Sequence, residues 1–237
     1  MKHILFIHGA YHSGWCWEPV VRLLPKDVFQ CHAIDLPGQG ANKILPKQYV
    51  TPKDYLDFVL SYIEIHNLTD ITLVSHSMGG IVLGKLVEQI PFKIKSAFLL
   101  TSVLLNGKSF MEMLPLEVQK KYREIASHRE DMSIPPNLER IRAILFNQSK
   151  DSETLNIFLR KLEPQPISIY EEKVTLSAFK HTSVAITYIK CKNDISLPVA
   201  GFEEILSNLP TTAHITEIDA DHEAMLSNPK AIANLLS

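Results

Sequence analysis

The chain reads as an α/β protein, a mostly parallel sheet of about six strands with helices on both faces and a helical insertion. Two observations predict it. Short apolar runs, Ile4 to Ile7, Cys31 to Ile34, Ile71 to Val74, Ala97 to Leu100, Val184 to Ile189 and Ala213 to Ile218, recur with helical stretches between them. This alternation builds a parallel sheet buried on both sides. Between Leu104 and Lys180 the alternation stops, and three helix-like pieces appear around Leu116 to Ser127, Leu138 to Phe146 and Ser152 to Leu162, punctuated by Pro115, Pro135, Pro136, Pro164 and Pro166. The division expected is a core of residues 1–103 and 181–237 with a helical cap of residues 104–180.

Each core element has its own local reason. Thr51 can cap a helix, Pro52 fits its first position, and Asp54 completes a capping-box-like pattern. Tyr55, Phe58, Val59, Tyr62 and Ile63 then share one face. Ile81, Val82, Leu83, Leu86, Val87 and Ile90 surround most of the next helix, the pattern of a helix buried behind the turn before it. Proline breaks the helical pieces of the insertion because it lacks an N–H and restricts its predecessor. An insertion between sheet strands, on the edge where loops converge, would roof a pocket; the alternative is a helical decoration without contact to substrate.

The chain has 237 residues, enough for one substantial core with an insertion. Its 24 basic and 26 acidic residues nearly balance, which leaves no electrostatic footprint for nucleic acid or an anionic membrane. Cys16, Cys31 and Cys191 lack C-x-x-C spacing and read as inert thiols in a reducing compartment. The amino terminus has four consecutive apolar residues, too few for a signal peptide or a span, so a soluble cytoplasmic protein is expected. Oligomeric state is left open.

The chemistry centres on Ser75-His76-Ser77-Met78-Gly79-Gly80, a small-x-Ser-x-Gly turn between an apolar run and a helical pattern. A strand, sharp turn and helix in that order expose a serine hydroxyl at the carboxyl end of a parallel strand. A serine is almost wholly protonated at neutral pH and needs a base, and the base needs an acid to fix its tautomer. Asp194 follows the Val184 to Ile189 run, and His222 follows the last strand within Asp219-Ala220-Asp221-His222-Glu223. Asp219 and Asp221 are rival acids, though loop neighbours rarely aim a carboxylate at the far ring nitrogen. Asp35 reads as an anchor of its own loop, His76 as structural in the helix-strand packing, and His66 and His128 as solvated helix residues. No ligand spacing suggests a metal.

Attack on a carbonyl creates an oxyanion, for which one preorganised donor is worth about 3–4 kcal/mol. The Met78 N–H, at a helix amino terminus, is one candidate. Ala10 N–H, on the loop His8-Gly9-Ala10-Tyr11-His12-Ser13-Gly14, is the other. That loop has neither G-x-G-x-x-G nor a G-K-[ST] ending, which argues against a phosphate cradle.

Together, His8-Gly9-Ala10, Gly14-Trp15-Cys16-Trp17, Asp35-Leu36-Pro37-Gly38-Gln39-Gly40, the Ser77 turn, Asp194 and Asp221-His222 resemble the α/β-hydrolase fold. Within it they resemble the branch of methyl-salicylate-type methylesterases, polyneuridine-aldehyde-esterase-like enzymes and hydroxynitrile lyases. The similarity spans the chain except for most of the cap. It implies Ser77 as nucleophile, His222 as base and then acid, Asp194 as its orienter, and Ala10 and Met78 as oxyanion donors. The lyases place threonine after the first motif histidine and lysine after the last; here Gly9 and Glu223 stand there. A carboxylate supplies no positive charge to departing cyanide. Ser75 stands where glycine is usual, and its small size predicts tolerance. The expectation is a cofactor-independent and metal-independent serine hydrolase of a small-molecule carboxylic ester, with a lyase or a non-catalytic ligand receptor as alternatives.

Overall fold

The computed structural model describes residues 1–44, 50–148 and 153–237. In chain order its core begins with β1 (Lys2–Ile7), a 3₁₀ turn at Gly14–Trp17, α1 (Glu18–Val21), β2 (Phe29–Ala33), α2 (Pro52–Ile65), β3 (Ile71–His76), α3 (Gly79–Gln89) and β4 (Ile94–Leu100). The insertion carries α4 (Leu116–Ser127), β5 (Ser133–Ile134), α5 (Leu138–Leu145), α6 (Glu153–Arg160), β6 (Gln165–Pro166) and α7 (Ser168–Glu171). The core resumes with β7 (Ala185–Cys191), α8 (Val199–Ser207), β8 (His214–Ile218), α9 (Ala224–Ser227) and α10 (Pro229–Leu236).

Six strands pair in the order β2-β1-β3-β4-β7-β8, every pair parallel. The period of two along β1 explains the continuous apolar run. Leu5 and Ile7 join one core with Val59 and Ile63 of α2 and Leu83 and Leu86 of α3. Ile4 and Phe6 join a second core with Trp17, Val20 of α1 and Ile232 and Leu236 of α10. The predicted cap of α2 is present: Asp54 N–H donates to Thr51 Oγ1 at 3.2 Å, and Thr51 N–H donates to Asp54 Oδ2 at 2.8 Å.

The three predicted helices of the insertion form at Leu116–Ser127, Leu138–Leu145 and Glu153–Arg160; the expected start at Ser152 lies outside the described residues. The antiparallel β5-β6 pair was not expected from the apolar pattern. Two residues per strand are too short to show a period.

The insertion is fastened to the core through polar groups. Buried Gln165 accepts the Tyr11 N–H at 3.1 Å and donates to the Tyr55 hydroxyl at 3.1 Å. Glu163 N–H donates to Tyr11 O at 2.9 Å, and the Glu163 carboxylate accepts Gly40 N–H at 2.7 Å. Tyr11 also packs with Ile141, Phe146, Leu155 and Phe158. The insertion therefore sits on the loop after β1.

Close approach governs the start of α3. A Cβ on Gly80 would lie 2.5 Å from Val103 O and 2.7 Å from Ser102 Cβ, both across the turn after β4. Gly80→Ala is expected to destabilise the fold by about 1–3 kcal/mol through overpacking. Urea unfolding measures it, and an unchanged midpoint would refute this account of the packing.

Candidate active site

The loops after β1, β3, β4, β7 and β8 meet at one cavity of about 160 Å³, bordered by Ala10, Ser77, Met78, Thr101, His222 and Glu223. Its outer wall comes from the insertion, with Tyr122 and Ile125 of α4, Ile141 and Leu145 of α5, and Tyr170 of α7 among the side chains that face it.

Ser77 occupies the turn between β3 and α3 with φ of +48°, a left-handed conformation uncommon outside glycine. Its backbone is held on both sides. Ser77 N–H donates to Leu100 O at 3.2 Å, and Ser77 O accepts Val103 N–H at 2.8 Å and Gly80 N–H at 3.0 Å. Ser75 is accommodated as expected from its size: its hydroxyl lies 2.8 Å from the Ser102 hydroxyl, which donates to Ser75 O at 3.0 Å.

Asp194 and His222 come together from separate strand ends. His222 Nδ1 lies 2.8 Å from Asp194 Oδ2, while Asp194 Oδ1 accepts Ser196 N–H at 2.8 Å. The rival acids are engaged elsewhere. Asp221 Oδ1 accepts the Ser227 hydroxyl at 2.7 Å and Oδ2 accepts Gln148 N–H at 3.2 Å; Asp219 accepts the Asn193 amide at 2.9 Å. Ser77 and His222 border the same cavity, but no hydrogen bond between them is closed among the described residues. Such contacts are often long without substrate.

Burial works against an imidazolium at His222, but the Asp194 carboxylate outweighs it and raises the pKa to about 8. Burial likewise opposes the Asp194 carboxylate, yet His222 and the Ser196 donors hold its pKa below the ordinary value.

Two peptide N–H groups are aimed by the carbonyls behind them. C=O and N–H of a trans peptide point in opposite directions. Gly9 O is held by His8 Nδ1 at 2.8 Å, which turns the Ala10 N–H the other way. Ser77 O is held by Val103 and Gly80, which does the same for the Met78 N–H. Neither N–H is spent in a hydrogen bond among the described residues, and both residues border the cavity.

His8 Nε2 accepts Leu36 N–H at 3.1 Å, and burial lowers its pKa to about 4, so it ties loops together as a neutral ring. Asp35 anchors its loop as expected, accepting Gly14 N–H at 2.7 Å and Ala41 N–H at 2.8 Å. His66 and His128 are exposed, as expected. His76 departs from its reading as a ring within helix-strand packing. It borders the cavity, its Nε2 lies 3.0 Å from His222 O, and its ring centroid lies 4.8 Å from that of His222. The side chain of a strand's last residue escapes the helix layer, which the apolar pattern does not reveal.

Three features escaped the sequence reading. Thr101 has φ of +40° just after β4 and brings its hydroxyl to 3.4 Å from His222 Nδ1; a threonine after an apolar run carries no signal for this. Tyr11, Tyr122 and Tyr170 gather on one wall. Glu223 is fully buried. His76, His222 and Glu223 also place possible ligand atoms within 4.8 Å of one another. The carboxyl oxygens of Glu223 and Nδ1 of His76 have no hydrogen-bond partner among the described residues.

A family model described as "Alpha/beta hydrolase family" matches residues 4–235. The chain belongs to the alpha/beta hydrolase family. Norfluorocurarine synthase 1 of Strychnos nux-vomica is 30% identical over 99% of this chain and 94% of its own length. Putative methylesterase 11, chloroplastic, of Arabidopsis thaliana is 29% identical over 99% of this chain. The chain spans 63% of that relative and 55% of putative methylesterase 13, chloroplastic. Their names place those relatives in the chloroplast, a location other than the cytoplasmic one expected for this hydrolase. Among solved structures, an extracellular alpha/beta-hydrolase from a Paenibacillus species matches with a TM-score of 0.88 at 23% identity, covering 100% of this chain and 98% of its own. A methylesterase from Arabidopsis matches with a TM-score of 0.76 at 22% identity, covering 100% and 97%. No helix among the described residues is long and apolar enough to cross a membrane.

The His222 contact has a measurable signature. Its ring is expected to titrate near pH 8 by NMR, and Asp194→Asn should lower that pKa, because it removes the largest opposition to burial. Because the folded pKa lies above the unfolded one, this contact's stabilisation is fully present below pH 6.5 and is lost as pH rises through about 8. An unshifted ring in the Asn variant would refute the assignment.

Proposed function

We propose that this hydrolase cleaves a small carboxylic ester through an acyl-enzyme on Ser77. The observation that carries the reading is one cavity bordered by a serine on a left-handed turn, a histidine held by a buried aspartate at 2.8 Å, and two unspent peptide N–H groups. The names of its methylesterase relatives support the same reaction class.

In the first half-reaction Ser77 Oγ attacks the ester carbonyl carbon as His222 Nε2 takes its proton. Asp194 fixes the tautomer, since Nδ1–H is committed to its carboxylate, and stabilises the imidazolium that forms. The carbonyl oxygen becomes an oxyanion against the Ala10 and Met78 N–H groups. Collapse expels the alcohol, which receives the proton from His222. Water then repeats the sequence on the acyl-enzyme, releasing the acid and restoring Ser77. The chain needs no cofactor or metal for these steps, and the partner is a small molecule rather than nucleic acid or membrane.

The insertion, residues 104–180, acts as a cap over this cavity. Its mostly apolar wall favours a small, partly hydrophobic acyl group and excludes water from the reacting atoms. The three free thiols, two of them buried, suit a reducing compartment such as the cytoplasm. A cyanohydrin-cleaving reaction fits less well. A Cβ at Gly9, the position that holds threonine in the lyases this chain resembles, would stand 3.0 Å from Ser77 Cβ and 2.9 Å from His76 Nδ1.

Hydrolysis of short p-nitrophenyl esters tests the proposal. Ser77→Ala is expected to lose about 10³-fold or more in kcat, and a fluorophosphonate should label Ser77 in the folded wild type; equal rates in the two proteins would sink the assignment. The acid limb of kcat/KM should report a base near pH 8, activity rising as His222 loses its proton. A profile flat from pH 6 to 9 would rule His222 out as that base.

A further inference from the structure

Glu223 is a buried acid beside the proposed base, and its surroundings are rich in acceptors. His12 Nε2 lies 3.4 Å from Glu223 Oε2. Neither Glu223 oxygen nor His12 Nε2 has a hydrogen-bond partner among the described residues. The tautomer of His12 follows from its other nitrogen. Nδ1 lies 2.8 Å from Ala10 O, a carbonyl that can only accept, so Nδ1 carries the hydrogen and the Nε2 that neighbours Glu223 is a bare acceptor. His76 is in the same condition: Nε2 donates to His222 O, leaving Nδ1 bare. An ionised Glu223 would thus face lone pairs in a site without water access.

We propose that Glu223 carries a proton and donates it to His12 Nε2, and that this bond is a latch between the loop bearing Ala10 and the loop bearing His222. Through His12 the latch holds the Ala10 carbonyl and with it the peptide plane beside the oxyanion donor. Glu223 is a positioning residue in this role, acting through His12 rather than on substrate.

The charged and titratable groups around it agree. Burial, with Asp221 on its own loop and Asp194 from the loop after β7, outweighs His222 and raises the Glu223 pKa to about 8. Burial lowers that of His12 to about 3, so the proton belongs on the carboxyl. His76 from β3, Cys16 from the 3₁₀ turn and Cys191 from β7 complete the titratable set around Glu223, and Lys121 of α4 and Arg140 of α5 border the same cavity from the insertion. His76 is kept neutral by burial.

The kinetic consequence rests on the ester-hydrolase reading; the location of the proton does not. Infrared spectra of the wild type at neutral pH should contain the carbonyl stretch of a protonated carboxylic acid that Glu223→Gln lacks, fading as pH rises past 8. With a p-nitrophenyl ester, wild-type kcat should fall as pH rises past 8 and level off roughly 10-fold to 100-fold lower. Glu223→Gln, whose amide donates at every pH, should keep the activity and lose that fall. Glu223→Met should lower kcat roughly 10-fold to 100-fold below pH 8 with KM little changed, and should lack the alkaline fall. The proposal is overturned by an absent acid band, by a Gln variant that retains the wild-type alkaline fall, or by a stoichiometric metal ion that the Gln variant fails to retain. A present band in a protein without esterase activity would remove the hydrolase reading and uphold the protonated pair.

Discussion

The left-handed turn at Ser77 is the constraint around which the site is arranged. A non-glycine residue at positive φ costs about 1–3 kcal/mol and persists only where its surroundings fix it, as they do here. Ser77 is pinned by Leu100 on its N–H side and by Val103 and Gly80 on its carbonyl side. The same pins have three effects. They begin α3 beneath the hydroxyl, they turn the Met78 N–H away from the occupied carbonyl, and they tie the turn after β3 to that after β4. Thr101, itself at φ of +40°, sits on that second turn beside His222. Two residues at positive φ thus follow adjacent strands, and Thr101 is held by its own N–H bond to Ile189 O.

Histidines do unusual work in this molecule because carbonyls fix their tautomers. His8, His12, His76 and His222 are all buried. In each of the first three, one nitrogen is paired with a backbone carbonyl, Gly9 O, Ala10 O and His222 O respectively. Desolvation keeps those three neutral. His222 differs in having a carboxylate on Nδ1, which raises its pKa where burial lowers that of the others. One residue type therefore serves as brace and as candidate base, and the partner of a single nitrogen decides which.

What was legible in the sequence was what rests on local pattern. The six apolar runs became six parallel strands because both faces of the sheet are covered. Thr51, Pro52 and Asp54 announced α2 through a cap that needs only four residues. Asp194 and His222 could be placed because each follows a strand, and strand ends of a parallel sheet share an edge. The environment of Glu223 was not legible. Its place after His222, where the lyases carry lysine, was read, but nothing in a polar loop after Asp219 and Asp221 announces burial. Its burial arises from the fold of the chain over it, with Leu145 of α5 accepting its N–H at 3.3 Å and His12 approaching from a loop more than two hundred residues away in sequence. The inward turn of His76 has the same non-local origin.

That burial bears on the charge balance of the proposed reaction. In the form competent for attack, with Asp194 ionised and His222 neutral, the site carries one negative charge. Attack by Ser77 creates a second on the oxyanion and a positive one on His222, so the rise in negative charge near the carbonyl is met by the imidazolium and the two N–H dipoles. An ionised Glu223 would add a fixed negative charge to a cavity with little water to screen it, raising the cost of the oxyanion as it forms. It would stabilise the imidazolium too, but equally before attack, holding His222 in the protonated form that cannot take the serine proton. A proton on Glu223 removes both penalties. The carboxyl that secures the Ala10 loop thereby leaves the field at the reacting carbonyl to the groups built to stabilise its charge.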